Sequence, residues 1–284
     1  MILEIAEKPQ EILYRLQEER RSPMLNYLKA ELWRYFRRPA GKILFTLSFA
    51  LPAALVLYIW AGNQWIDPEN PITLADTWAI AAILMPFAGV LFLMAIVDAA
   101  FADEHRLGTM KNSIAAGFSR WIVYSGKILS GILLSVLHLA CAWGSFLLAG
   151  MLLLPFGIPL RALLLRLGLL LLEIIPLWLG MLGILYLVYF SFRNGLVAAI
   201  AAAAGSFLIM VALLSLNVYA AEVLAQLQLI IYFFSVVLEN SLLTDFADLQ
   251  VDRLFLARCW LVGGGYFLAC AAAGWLLFRR RDIS

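Results

Sequence analysis

Long apolar runs separated by short polar segments make up most of the chain after residue 42. A helix needs about 20 mostly apolar residues to cross the hydrocarbon core of a bilayer. The pattern predicts six such helices, at residues 43–61, 77–101, 122–154, 167–190, 196–216 and 254–278. The expected fold is therefore an all-α, polytopic membrane protein, with residues 43–284 as a six-helix transmembrane domain.

The segment before the first span, residues 1–42, is predicted to be a cytoplasmic, amphipathic helical lead. Over residues 24–38, apolar positions such as Leu28 and Leu32 alternate at helical spacing with charged positions such as Lys29 and Glu31. A basic amphipathic helix of this kind is typical of the membrane interface. Pro23 is expected to separate it from an earlier helical stretch. The alternative interpretation is a lead that only increases solubility.

A seventh apolar stretch, residues 223–238, is short and is flanked by Glu222 and Glu239. A full crossing here would put the arginines of the carboxyl-terminal tail on the outer side. We therefore predict a re-entrant helical hairpin on the outer face, between spans five and six, over residues 217–252. A surface amphipathic helix in the headgroup region is the alternative.

Composition and charge agree with this topology. Hydrophobic residues are 64% of the chain and charged residues 14%, which is far from the mixture of a soluble domain. All but four of the 21 Lys and Arg residues fall on one side of the six spans, and those four are Arg161, Arg166, Arg253 and Arg258. Cytoplasmic loops carry the excess of Lys and Arg. Both termini are therefore expected in the cytoplasm.

Catalytic and metal-binding motifs are missing from the sequence. It contains no phosphate-binding loop of the G-x-x-x-x-G-K-S/T form, no G-x-S-x-G elbow and no H-E-x-x-H pair. The three cysteines lie in apolar segments, and no Cys/His cluster has the spacing of a metal site. We expect no cofactor on this chain and no nucleic-acid partner. An energy source would have to be another chain or an ion gradient.

Three polar residues within the spans are candidates for a transport path: Asp98, His138 and Glu173. A charge at the bilayer centre costs about 2.5–3.5 kcal/mol on insertion scales, so each carboxylate should have a partner. For Glu173 that partner could be Arg166, two turns earlier, and a role in the substrate path is the alternative. For His138 a buried, hydrogen-bonded imidazole is favoured over a ligand or proton relay.

The loop over residues 102–121 carries the most informative motif. Gly108 and Gly117 bracket a helix of about two turns, for which Thr109 is a plausible N-cap. Its residues are small and semi-polar, which suits docking into a shallow groove better than building a core.

This loop resembles the first cytoplasmic loop of type-2 ABC export permeases, in the bacitracin- and lantibiotic-type branch of bacterial ABC transporters. The similarity lies in an acidic residue, a Gly-Thr-Met-Lys-Asn run, a Ser-Arg pair and a Lys before the third span. The positions that the resemblance implies for contact with an ATPase are Glu104, Gly108, Thr109, Met110, Lys111, Asn112, Ile114, Ser119 and Arg120. The tail Phe278-Arg-Arg-Arg-Asp-Ile is also similar to the usual ending of that family. At Gly117-Phe118 the chain lacks the Pro that many members place before the Ser-Arg pair.

The resemblance implies a permease subunit in a bacterial cytoplasmic membrane that works with a separate pair of ATPase subunits, which would hold ATP and Mg. A second copy of the chain, or a paralogous permease, would complete the path. The apolar character of the spans favours a hydrophobic or amphipathic cargo, such as a peptide, an antibiotic or a lipid. An ion-gradient-driven carrier and a non-transporting immunity or scaffold subunit are the alternatives.

Overall fold

The computed structural model describes residues 23–107, 110–192, 197, 200, 225–242 and 252–280. Every element in these ranges is helical, which confirms the all-α prediction for the described part of the chain. The helices are α1 (Pro23–Arg37), α2 (Pro39–Trp65), α3 (Leu74–Leu107), α4 (Met110–Ala115), α5 (Arg120–Leu153), α6 (Leu160–Ser191), α7 (Ala225–Leu242) and α8 (Arg253–Arg280).

Five of these helices, α2, α3, α5, α6 and α8, are long and apolar enough to cross a membrane. They contain the first, second, third, fourth and sixth predicted spans to within a few residues at most ends. The largest difference is at α6, which begins seven residues before the predicted start because Arg161 and Arg166 were excluded from the apolar run. The fifth predicted span, 196–216, lies almost entirely outside the described residues, so the count of six spans stays a prediction.

Local sequence explains where the spans begin. Pro39 opens α2 directly after an extended Arg38, and proline fits there because its missing N–H would have no helical acceptor. At the start of α3, Thr73 and Asp76 form a reciprocal capping box, in which the Asp76 N–H donates to Thr73 Oγ1 and the Thr73 N–H donates to Asp76 Oδ2.

Helices α6 and α8 pack with their backbones almost in contact. A Cβ atom added to Gly263 would lie 2.1 Å from the Pro176 carbonyl oxygen, so only glycine fits at this crossing. Trp260 Nε1 donates to the Leu172 carbonyl oxygen at 3.1 Å, and Phe267 lies against Gly183. Residue numbers rise together along the contact, so α6 and α8 run parallel. The connection between them therefore returns the chain to the end of the bundle where α6 begins.

Helix α7 covers the second half of that connection and packs against α3 and α6. Its Phe233 ring is 5.5 Å from Phe87, midway along α3, and the Asn240 carbonyl accepts a 3.1 Å hydrogen bond from Trp78, near the start of α3. Helix α7 thus runs beside α3 in the opposite direction, with Leu229, Phe233 and Val236 buried. Residues 243–251 and most of 193–224 lie outside the described part, and the re-entrant hairpin stays a prediction.

Helix α1 begins at Pro23, one residue earlier than the amphipathic stretch predicted over 24–38. The expectation that Pro23 separates two helices is untested on its amino side, because residues 1–22 lie outside the described part. Tyr27, Leu28, Glu31 and Tyr35 form its buried face, which packs against α5. The pattern had placed Glu31 on the polar side, and this was wrong. Glu31 is 5% exposed because its carboxylate meets a buried lysine of α5.

Candidate functional site

The short helix α4 ends in a Schellman motif. Gly117 has φ of +92°, and its N–H donates to the Ile114 carbonyl at 3.0 Å. The Phe118 N–H donates to the Ser113 carbonyl at 3.2 Å, which completes the motif. A glycine in the left-handed region ends the helix here, so the turn forms without the proline that similar loops carry.

Ser119 and Arg120 then start α5. The Ser119 side chain caps the helix by accepting a hydrogen bond from the Ile122 N–H at 3.3 Å. Arg120 Nη1 donates to the Arg279 carbonyl oxygen at 2.7 Å, in the last turn of α8. The Ser-Arg pair therefore connects the loop to two spanning helices.

The exposed residues of the loop include Asn112, Ala115 and Ala116. Ile114 is half-buried and packs against the core, as does Phe118, whose ring lies 5.5 Å from Tyr27 of α1 in an edge-to-face contact. We call the positions Asn112, Ala115 and Ala116 the α4 surface.

The structure describes the other residues predicted to contact an ATPase only in part. Gly108 and Thr109 lie outside the described residues, so the N-cap expected at Thr109 stays a prediction. Glu104 lies in the last turns of α3, and Met110 and Lys111 begin α4, but their side chains also lie outside the described part. Met110 and Lys111 lie on the same helix as Asn112 of the α4 surface.

Beneath the loop, α1 is attached to the bundle by a buried ion pair. Lys127 of α5 is fully buried, and its Nζ lies 3.4 Å from Glu31 Oε2 and 3.4 Å from the Ala100 carbonyl oxygen of α3. The same ammonium lies 4.8 Å from the centre of the Phe101 ring. Arg34 bonds the other Glu31 oxygen at 2.8 Å.

The environment of Glu31 keeps it ionised. Burial raises the pKa of this carboxyl, but the charges of Lys127 and Arg34 and hydrogen bonds from Tyr27 and Lys127 lower it more, so the pKa lies below its ordinary value of 4.5. The close approach of α1 to α5 needs Gly126, where an added Cβ would lie 2.4 Å from the Tyr27 ring.

A second polar contact lies about one helical turn farther along α1 and about three turns farther along α5. The Tyr35 hydroxyl is 3.0 Å from His138 Nε2, and both side chains are 3% exposed. Arg38, just beyond α1, donates to the Ala99 carbonyl of α3. His138 is thus buried and hydrogen-bonded. Three separate polar contacts attach α1 and the residue that follows it to the rest of the bundle.

The two carboxylates within the spans also have partners. Asp98 Oδ1 accepts a 2.9 Å hydrogen bond from the Tyr189 hydroxyl of α6. Glu173 Oε2 accepts a 3.1 Å hydrogen bond from Asn240 Nδ2 of α7, and its pairing with Arg166 stays a prediction. Asp98, His138 and Glu173 each have a different hydrogen-bond partner.

The Glu31–Lys127 pair and the Tyr35–His138 contact were missed by the sequence analysis. Lys127 lies seven residues after the start of α5, within the apolar third span, and a buried lysine there requires a counter-charge. That requirement was a usable signal, but it did not indicate which of the carboxylates would supply the charge. The described residues contain no group of three or more His, Cys, Asp or Glu side chains that could hold a metal ion.

Comparison with known proteins gives one finding. The sequence model described as ABC-2 family transporter protein matches residues 27–212, which is more than half of the chain. The match begins within α1 and includes the α4 loop and the spanning helices α2, α3, α5 and α6. No match to a curated protein was found.

Proposed function

Because the chain belongs to the ABC-2 transporter family, we propose that it is the permease subunit of an ATP-driven exporter in a bacterial cytoplasmic membrane. The family supplies a multi-pass membrane transport subunit that works with an ABC ATPase. Outward transport, a hydrophobic or amphipathic cargo and a path built from two permease chains are our further proposals. The bacitracin- and lantibiotic-type branch suggested by the loop is also part of the proposal.

The observation that carries this proposal is the way the α4 surface is attached to the spans. Helix α4 lies between α3 and α5, so any force on it acts on two spanning helices. The Arg120–Arg279 contact extends the attachment to α8, and the Phe118–Tyr27 contact extends it to α1. Movement of an ATPase docked on α4 would therefore reach four helices through direct contacts.

We propose that the α4 surface is the ATPase docking site and that α1 lines the same interface with the ATPase. Asn112, Ala115 and Ala116 are exposed and small or polar, as a helix that enters a protein groove requires. Both termini would then lie in the cytoplasm, on the same side as this surface. The charge distribution of the loops supports that orientation.

Replacement of Asn112 by Arg tests the docking site, with Asn70→Arg as the matched control. Asn70 is an exposed residue in the connection between α2 and α3, at the opposite end of the bundle. A bulky cation forced into a shaped groove without a partner should weaken binding by about tenfold or more. We expect Asn112→Arg to lose the co-purified ATPase and Asn70→Arg to keep it.

Both variants should insert and elute as the parent does, since each replaces an exposed side chain. Equal recovery of the ATPase with Asn112→Arg and with the parent chain would contradict docking on α4. Ile114 is less suitable as a probe because its half-buried side chain also packs against the core.

A further inference from the structure

The exposed side of α1 carries three residues at four-residue spacing: Lys29, Trp33 and Arg37. Residues four apart in a helix are neighbours on one face. Lys42 follows in the first turn of α2, where it is also exposed and its N–H donates to the Arg38 carbonyl oxygen at 3.2 Å. We call Lys29, Trp33, Arg37 and Lys42 the α1 basic surface.

The three cations of this surface have no acidic partner among the described residues. The Arg37 guanidinium instead stacks on the neighbouring indole, 4.8 Å from the centre of the Trp33 ring. Glu31 is the only acidic residue from position 23 to position 66, and it is already paired with Arg34 and Lys127. The positive charge on the exposed side of α1 is therefore available to an anionic partner.

An apolar surface begins directly after these charges. Ile43, Leu47 and Leu51 of α2 are 58%, 39% and 54% exposed, and their four-residue spacing places them on one face. Helix α2 is long and apolar enough to span a membrane, so acyl chains would cover this face. The α1 basic surface lies where that span begins, which is the level of lipid headgroups. An exposed tryptophan such as Trp33 is typical of that level.

The ATPase is the other candidate partner for this side of α1. Tyr27, which contacts Phe118 of the α4 loop, lies near the amino end of α1, and this is the part that the proposed ATPase interface uses. Arg37 and Lys42 lie at the other end, beside the span. A soluble protein would neutralise these cations but would leave the adjoining apolar face uncovered. One phospholipid molecule supplies both an anionic headgroup and acyl chains.

We propose that the α1 basic surface binds anionic phospholipid, with the headgroup at its cations and the acyl chains along the α2 face that begins at Ile43. Each Lys or Arg close to a membrane surface strengthens the attraction to anionic lipid about fivefold. Bound lipid would hold the exposed side of α1, while the Glu31–Lys127 pair holds its buried side. This inference concerns the chain in its membrane and does not depend on the proposed ATPase or on transport.

The test uses the full chain in phosphatidylcholine nanodiscs that contain a trace of photoactivatable lipid. Phosphatidylglycerol and phosphatidylcholine with the same diazirine-labelled chain are compared, and labelled peptides are identified by mass spectrometry. We expect phosphatidylglycerol to label residues 43–51 about tenfold or more above phosphatidylcholine at low salt. The excess should shrink in about 1 M salt, where the Debye length is about 3 Å. Peptides around Leu268, which is 68% exposed near the middle of α8, should be labelled equally by the two lipids.

The matched variants are Lys29→Gln with Lys42→Gln and Lys29→Arg with Lys42→Arg. The first pair removes two exposed charges, and the second keeps them at the same positions. The Gln pair should lower the excess labelling by phosphatidylglycerol at least about fivefold, whereas the Arg pair should leave it unchanged.

Equal labelling of residues 43–51 by the two lipids on the unaltered chain would overturn the proposal, and this comparison requires no variant to fold. An excess that persists in the Gln pair, or that the Arg pair also loses, would do the same, because the charges would then not cause it. Loss of a co-purified ATPase from the Gln pair with an unchanged lipid excess would assign this surface to the ATPase instead.

Discussion

Replacement of Glu31 by Gln should destabilise the protein by removing the counter-charge of Lys127. Gln keeps the size of the side chain and one acceptor oxygen, so the loss is mainly that of the negative charge. Lys127 would keep the Ala100 carbonyl and the Phe101 ring as neutral partners. It would remain a buried ammonium within a spanning helix.

The expected magnitude follows from the geometry. At 3.4 Å and an effective dielectric constant of about 20, the attraction between the two charges is about 5 kcal/mol. Desolvation of both ions offsets much of this in the intact pair. Removal of one partner from a buried pair costs about 3–5 kcal/mol, and the neutral acceptors around Lys127 favour the lower figure. A loss of about 3 kcal/mol corresponds to a fall of about 6–12 °C in Tm.

Thermal unfolding in detergent, followed by the loss of the monodisperse elution peak, measures this effect. Glu69→Gln is the matched control, because Glu69 is an exposed carboxylate in the connection between α2 and α3. A surface change of this kind should remain within about 0.5 kcal/mol of the parent. The double variant Glu31→Leu with Lys127→Met should regain most of the loss, because it leaves no unpaired charge.

The pH dependence of the protein's stability provides an independent test of the role of Glu31. The pKa of Glu31 is lowered in the folded state, so its stabilising effect is present above its ordinary value of 4.5. The effect disappears as the pH falls through the folded-state pKa. Glu31→Gln should lack this part of the pH dependence. A Glu31→Gln protein that is as stable as Glu69→Gln at neutral pH would refute our account of how α1 is attached.

Two further variants test local packing and capping. Gly263→Ala should cost about 1–3 kcal/mol because its methyl group would collide with the Pro176 carbonyl, whereas Gly264→Ala meets nothing within 4 Å and should be neutral; thermal unfolding of the pair checks this. Ser119→Ala should cost about 1 kcal/mol by removing the α5 cap, and Ser119→Asp should keep it; equal stability of the two variants would contradict a capping role.

Hydropathy was sufficient to locate five spanning helices because a long apolar run allows few structures other than a membrane helix. Their ends were less certain, since a helix can continue through charged residues once its backbone bonds are satisfied. The start of α6 is the clearest case. The predicted span began only after Arg161 and Arg166, because these charged residues interrupt the apolar run. The helix itself begins at Leu160, directly after Pro159.

The sequence also indicated a short helix ended by Gly117, because a glycine after small helical residues is a common stop signal. It did not indicate which side chains hold that helix in place. The contacts of Arg120 with Arg279 and of Lys127 with Glu31 join residues that are 159 and 96 positions apart. Helical periodicity carries no information about such pairs, and it placed Glu31 on the wrong face of α1.

The most direct test of the permease assignment is to purify the tagged chain from its native membrane in mild detergent and to assay what accompanies it. We predict a stoichiometric soluble ATPase with vanadate-sensitive turnover, in a complex that contains two permease chains. A stable oligomer of this chain that carries no ATPase would contradict the assignment and would favour a carrier driven by an ion gradient.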